Sequence, residues 1–199
     1  MTDLIFASGN QHKARELREI LGERFRFTTL DEAGLKIEIP EPYDTLEANA
    51  SEKSKVIFEL TGRNCFGEDT GLEVFMLGGK PGVKSARYAG KNQDPIKNTE
   101  KLLLEMNGLE NRTARFRTII SLRISGLNML FEGICEGFIT LSPKGANGFG
   151  YDSVFVPRGG DLTFAEMSLT EKAVFSHRKK ACDKLVLYLQ HSGNSHWGV

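Results

Sequence analysis

The chain predicts an α/β fold with a mixed, strongly twisted sheet. Helical and strand periodicities alternate at both ends, and a long hairpin occupies the middle. Leu4-Ile5-Phe6-Ala7 reads as a short buried strand that breaks at Ser8-Gly9-Asn10. From His12 the apolar residues Ala14, Leu17, Ile20 and Leu21 share one helical face, and Gly22 is the stop. A second helix runs from about Thr45 to Leu60 and ends at Gly62. Asn64 to Glu68 and Leu72 to Met76 read as strands on either side of a tight Asp69-Thr70-Gly71 turn. Asp94-Pro95 opens a helix with a cap followed by proline at the first helical position, and Gly108 closes it. Between Ala114 and Ile124 apolar residues fall on even positions, which is strand spacing, and Ser125-Gly126-Leu127-Asn128 turns the chain into a second long strand ending near Leu141. Val154-Phe155-Val156 reads as a strand, and Ser168 with Glu171 forms a capping box before the last helices, the second of which begins near Ser176.

The chain has 199 residues. At roughly 150 residues per domain this is one domain spanning 1–199, large enough to bury about 70% of its unfolded surface. With 26 basic and 26 acidic residues the formal net charge is 0. No long-range field draws it to nucleic acid or to an anionic membrane, so any phosphate binding is local. Cys65, Cys135 and Cys182 lie too far apart for a zinc pattern or a paired disulfide framework, which suits a reduced setting. Met1-Thr2-Asp3 lacks a basic leader, and no run approaches the ~18 apolar residues of a membrane span, so a cytoplasmic protein is expected.

Four segments could carry chemistry. Ser8-Gly9-Asn10-Gln11-His12-Lys13 joins a strand to a helix N-terminus, where exposed N–H groups favour phosphate and Lys13 adds a charge. It is not a Walker A loop, and it also suits an ordinary strand-to-helix turn. Glu47, Glu68 and Asp69 are carboxylates able to hold a hard cation such as Mg²⁺, or to remain solvated turn residues. Gly145 to Asp152 sets three glycines around Phe149, whose ring could face a base or sit in the core. Lys172 and Ser176-His177-Arg178 put cations near two helix starts, while Lys179 and Lys180 read as a solvated face. No Gly-x-Ser-x-Gly elbow supports a serine hydrolase.

In combination these segments resemble the inosine triphosphate pyrophosphatase family. The resemblance rests on Ser8-Gly9-Asn10 with Lys13, Thr45-Leu46-Glu47-Ala48-Asn49-Ala50 with Lys53, Glu68-Asp69-Thr70-Gly71-Leu72, and Pro81-Gly82-Val83 through Ser85-Ala86-Arg87-Tyr88-Ala89-Gly90. It continues with Gly148-Phe149-Gly150-Tyr151-Asp152, Thr163-Phe164-Ala165-Glu166-Met167, and Lys172 with Ser176-His177-Arg178. Seven motifs in family order cover nearly the whole chain. Departures are Glu68-Asp69-Thr70-Gly71 for the usual Asp-Asp-Ser-Gly, Glu47 one position early, Ser153 for proline and Ala173 for asparagine.

The resemblance implies two lobes flanking a nucleotide cleft, a homodimer, and hydrolysis of ITP, dITP or XTP to the monophosphate and pyrophosphate. It implies that Asp69 binds Mg²⁺ and accepts the water proton, with Glu68 and Glu47 supporting the metal. Ser8, Gly9, Asn10, Gln11, His12 and Lys13 would hold phosphate, and Thr70 and Lys172 would contact substrate. Phe149 would stack on the purine, with the Gly150, Tyr151 and Asp152 backbone, His177 and Arg178 reading its edge. Two alternatives are a non-catalytic purine-nucleotide sensor and a pyrophosphatase for pyrimidine or modified nucleotides.

Overall fold

A computed structural model of the chain describes residues 4–22 and 25–194. Strand β1 (Leu4–Phe6) is apolar and fully buried, and helix α1 (Gln11–Leu21) follows it, capped by the Asn10 side chain, which accepts from the Lys13 N–H. Strand β2 (Phe27–Thr29), which the sequence does not announce, precedes helix α2 (Leu46–Thr61), capped by Thr45 and ended by Gly62 in the left-handed region. Strands β3 (Cys65–Val74) and β4 (Pro81–Gly82), helix α3 (Pro95–Glu105) and the long strands β5 (Thr113–Ile124) and β6 (Leu127–Ile139) come next. Strand β7 (Phe155–Pro157) and helices α4 (Leu169–Phe175) and α5 (His177–Asn194) complete the chain. The Ser168–Glu171 capping box forms as expected. No helix among the described residues is long and apolar enough to cross a membrane.

The strands make one seven-stranded sheet in the order β2-β1-β3-β5-β6-β7, with β4 paired to β3. β1 runs parallel to β2 and β3, whereas β3–β4 and β6–β7 are antiparallel, so the sheet is mixed. The expected Asp69-Thr70-Gly71 turn is corrected: β3 runs unbroken from Cys65 to Val74. Its glycines serve close packing instead of reversal. A Cβ at Gly67 would sit 2.5 Å from the Ala50 carbonyl oxygen, and one at Gly71 would sit 2.6 Å from that of Gly82.

The chain divides into two compact units, and β3, β5 and β6 each pass from one to the other along their length. The first takes the described parts of 1–69, 118–133 and 178–199. Its core gathers Phe6, Leu17, Phe66, Leu122 and Leu185, with Phe6 stacked on Phe66 at 4.9 Å and Phe27 set edge-on to both. The second takes 70–117 and 134–177, around Leu72, Leu102, Phe116, Phe155 and Phe164.

Candidate active site

In the first unit, the segment after β1 is shaped by its own polar side chains. The Asn10 N–H donates to Ser8 Oγ at 3.2 Å, and Asn10 Oδ1 accepts from the Lys13 N–H at 3.1 Å. Gly9 to His12 are exposed, while Gln11 donates to Asp31 at 2.7 Å. Lys13 turns inward, its Nζ 3.4 Å from Glu68 Oε1. Burial pulls its pKa below the ordinary lysine value, with Glu68 opposing.

Asp69 is held by a buried lysine. Lys53, from the buried face of α2, donates to Asp69 Oδ1 at 3.0 Å and to the Glu68 carbonyl oxygen at 3.0 Å, and also pairs with Glu41. Asn49, on the same face, fixes the segment that delivers Glu41: its amide accepts from the Tyr43 N–H and donates to the Tyr43 carbonyl, both at 3.0 Å. Asp69 Oδ2 is buried and has no hydrogen-bond partner among the described residues. Burial pushes the Asp69 carboxyl above the usual carboxylate range, and Glu41 adds to this against the downward pull of Lys53 and Lys13. Lys53 is held above its ordinary pKa, because Asp69 and Glu41 outweigh the cost of its burial.

Glu68 and Arg178 form a buried ion pair. The Arg178 guanidinium, 1% exposed, donates through Nε to Glu68 Oε2 at 3.0 Å and through Nη2 to Glu68 Oε1 at 2.9 Å, and its Nη1 pairs with Glu16. Arg178 thus engages two carboxylates that lie far from it in the chain. Both oxygens of Glu68 are taken up by it, so Glu68 is occupied as an ion-pair partner. Glu47 is half-buried in the first turn of α2, where a carboxylate complements the helix dipole. Glu41, six residues earlier, acts on Asp69.

Sequence reading missed Glu41, Glu16 and the role of Lys53. A signal was present for two of them. Lys53 lies on the same helical face as Asn49, Ala50 and Ile57, and Glu16 lies among the buried Ala14, Leu17 and Leu21. A charge on a buried stripe needs a partner.

In the second unit Thr70 is half-buried in β3, while Phe149, Asp152 and Lys172 come together. Asp152 Oδ2 accepts from the Phe149 N–H at 2.9 Å and from Lys172 Nζ at 2.7 Å. The Lys172 ammonium lies 5.5 Å from the centre of the half-buried Phe149 ring and 5.2 Å from that of Phe164. A Cβ at Gly148, where φ is +74°, would strike Asp152 Oδ2 at 2.1 Å, so glycine is required both by conformation and by space. The Thr163–Met167 motif holds the approach to this loop: the Ala165 carbonyl accepts from the N–H groups of Ala146 and Asn147. His177, 2% exposed, is stacked on Phe116 at 4.7 Å. Its ring therefore packs in the aromatic core.

Comparison with known proteins gives a consistent result. The family model described as the Ham1 family matches residues 4–188. A protein of Flavobacterium psychrophilum named dITP/XTP pyrophosphatase is 43% identical over 188 residues, covering 94% of this chain and 99% of that protein. One of the same name from Bacillus subtilis is 40% identical, covering 96% and 98%. Among solved structures, the Staphylococcus aureus Ham1 protein superposes with a TM-score of 0.86 at 33% identity, covering 96% of this chain and all of that one.

Proposed function

The chain belongs to the Ham1 family, and from that premise we propose that it hydrolyses non-standard purine nucleoside triphosphates, ITP, dITP and XTP, to the monophosphate and pyrophosphate. Residues 1–199 act as one nucleoside-triphosphate pyrophosphatase domain. The observation that carries the reading is Asp69: a buried carboxylate with one oxygen on Lys53, the other without a hydrogen-bond partner among the described residues, and a pKa raised by burial. Such a group suits a proton acceptor beside a cation.

In the reaction a water oxygen bonds to the α-phosphorus and the bond to the bridging oxygen of pyrophosphate breaks. The water proton passes to Asp69. Lys13 and the Ser8–His12 segment bind phosphate, and Lys53 keeps Asp69 oriented. The donor set around Asp69 fits Mg²⁺. No group of three His, Cys, Asp or Glu side chains among the described residues forms a ready ligand set, and Mg²⁺ characteristically takes one or two carboxylates and completes its shell with water and substrate phosphate. Asp69 and Glu41 would hold it, with Glu68 acting through Arg178 and Lys13 instead. When bound, Mg²⁺ supplies charge neutralisation across the phosphates.

For the base, Phe149 offers a stacking face, and the backbone of the Gly148–Asp152 loop together with Lys172 supplies donors. Hypoxanthine and xanthine present an acceptor at the 6-position, where adenine presents a donor. Facing a donor with a donor leaves groups unpaired at about 1–3 kcal/mol each. The reading extends to a homodimer and to the cytoplasm, where three buried thiols, none in a disulfide, are suited to reducing conditions. Incubation with ITP and Mg²⁺ tests it: IMP and pyrophosphate should appear together, and stepwise release of inorganic phosphate would reject it.

A further inference from the structure

Two motifs remain without a function in this account: the Pro81–Gly90 segment and the Tyr151 side chain. They meet in the second unit. Tyr151 is 4% exposed, packed in the core around Leu72 and Leu102, and its hydroxyl donates to the Ser85 carbonyl oxygen at 2.9 Å. Burial pushes that hydroxyl above the ordinary tyrosine pKa, so it stays a donor. Ser85 is joined in turn to the strand pair β3–β4: its Oγ accepts from the Leu72 N–H at 2.9 Å and donates to the Gly82 carbonyl at 2.6 Å.

The Ser85 segment is itself rigidly held. The Asn98 amide from α3 donates to the Ala86 carbonyl at 2.8 Å and accepts from the Ala89 N–H at 2.6 Å, and Lys101 donates to the Tyr88 carbonyl at 2.8 Å. Tyr151 thus reaches an anchor fixed on two sides. On its own loop it lies between Phe149 and Lys172-bound Asp152, the groups offered to the base. A loop residue whose side chain points into the core and whose hydroxyl meets a fixed carbonyl sets the backbone on either side of it.

Resting on the nucleotide reading above, we propose that Tyr151 is a positioning residue for base recognition, its hydroxyl tying the Gly148–Asp152 loop to Ser85 so that Phe149 and Asp152 keep the geometry that binds a purine. It acts through the loop and touches no phosphate. The family of contacts it governs is therefore base-dependent, and pyrophosphate binding is independent of it.

The test uses the full chain with Tyr151→Phe, which keeps the ring and removes the hydroxyl. Three measurements are made on wild type and variant: steady-state kinetics with ITP, calorimetric binding of IMP and of pyrophosphate, and amide hydrogen exchange at Phe149. The expected result is a KM for ITP and a dissociation constant for IMP raised about fivefold, the worth of one uncharged hydrogen bond, with kcat and pyrophosphate binding unchanged. The Phe149 amide, bonded to Asp152, should exchange faster. Equal weakening of IMP and pyrophosphate would mean that the hydroxyl serves stability alone and would overturn the proposal, as would unchanged IMP binding. The exchange measurement needs no ligand, so if wild type neither binds IMP nor cleaves ITP, the functional reading fails separately, and an unaltered Phe149 exchange rate would still reject the positioning role.

Discussion

Glu41 and Glu47 separate what a carboxylate's position along the chain suggests from what it touches. Glu41 shares Lys53 with Asp69, whereas Glu47 opens a helix. Glu41→Gln should raise the Mg²⁺ concentration needed for half-maximal activity, and Glu47→Gln should leave it unchanged; the reverse pattern in Mg²⁺ titrations would return the second ligand to Glu47. The same variant has a pH signature. Glu41 helps hold Asp69 above the usual carboxylate range, so removing its charge lowers the Asp69 pKa and moves the acid limb of kcat/KM to lower pH. A limb left unshifted would show that Glu41 does not face Asp69. Arg178 gives a stability prediction. Arg178→Ala takes the guanidinium from the buried Glu68 and Glu16, with Lys13 still beside Glu68, and removing one partner of such a buried group costs about 3–5 kcal/mol. Chemical denaturation should read this directly, and an unchanged midpoint would place the guanidinium in solvent.

At the scale of elements, β3 is where residue type and backbone geometry meet. Its Gly67 admits α2 so closely that a Cβ there would lie 2.8 Å from the Lys53 Cβ. Gly67→Ala must push α2 outward, at an overpacking cost of about 1–3 kcal/mol. Because Lys53 rides on that helix, activity should fall together with the melting temperature. A variant with normal activity and stability would mean that helix and strand have slack. This strand also shows where sequence reading ends. Glycine beside Asp-Thr reads as a reversal, since backbone freedom is its commonest use, yet here glycine is chosen for the absence of a side chain. Two helix starts were legible because caps are local: Asp94 and Ser168 accept from N–H groups two or three residues on. Strand β2, three residues long and paired parallel to β1, has no such local mark.

At the scale of the molecule, Lys13, Lys53, Glu68 and Asp69 belong to the first unit and Phe149, Asp152 and Lys172 to the second. The residues of both were legible as a family pattern, but their pairings were not, since Arg178 and Glu16 are 162 positions apart and nothing in the sequence sets them against each other. In the proposed function Asp69 serves hydrolysis at the α-phosphorus, selective for nucleotides whose purine carries a 6-carbonyl. The most direct test is kcat/KM for ITP, XTP and ATP with Mg²⁺, for wild type and for Asp69→Asn. Wild type should favour ITP and XTP over ATP by about 5- to 150-fold, from about 1–3 kcal/mol of unmet hydrogen bonding. Asp69→Asn should fold normally and lose 10²–10⁴-fold on every substrate, the typical range for a general base. Equal rates on ITP and ATP, or near-normal turnover by a folded Asp69→Asn, would contradict it.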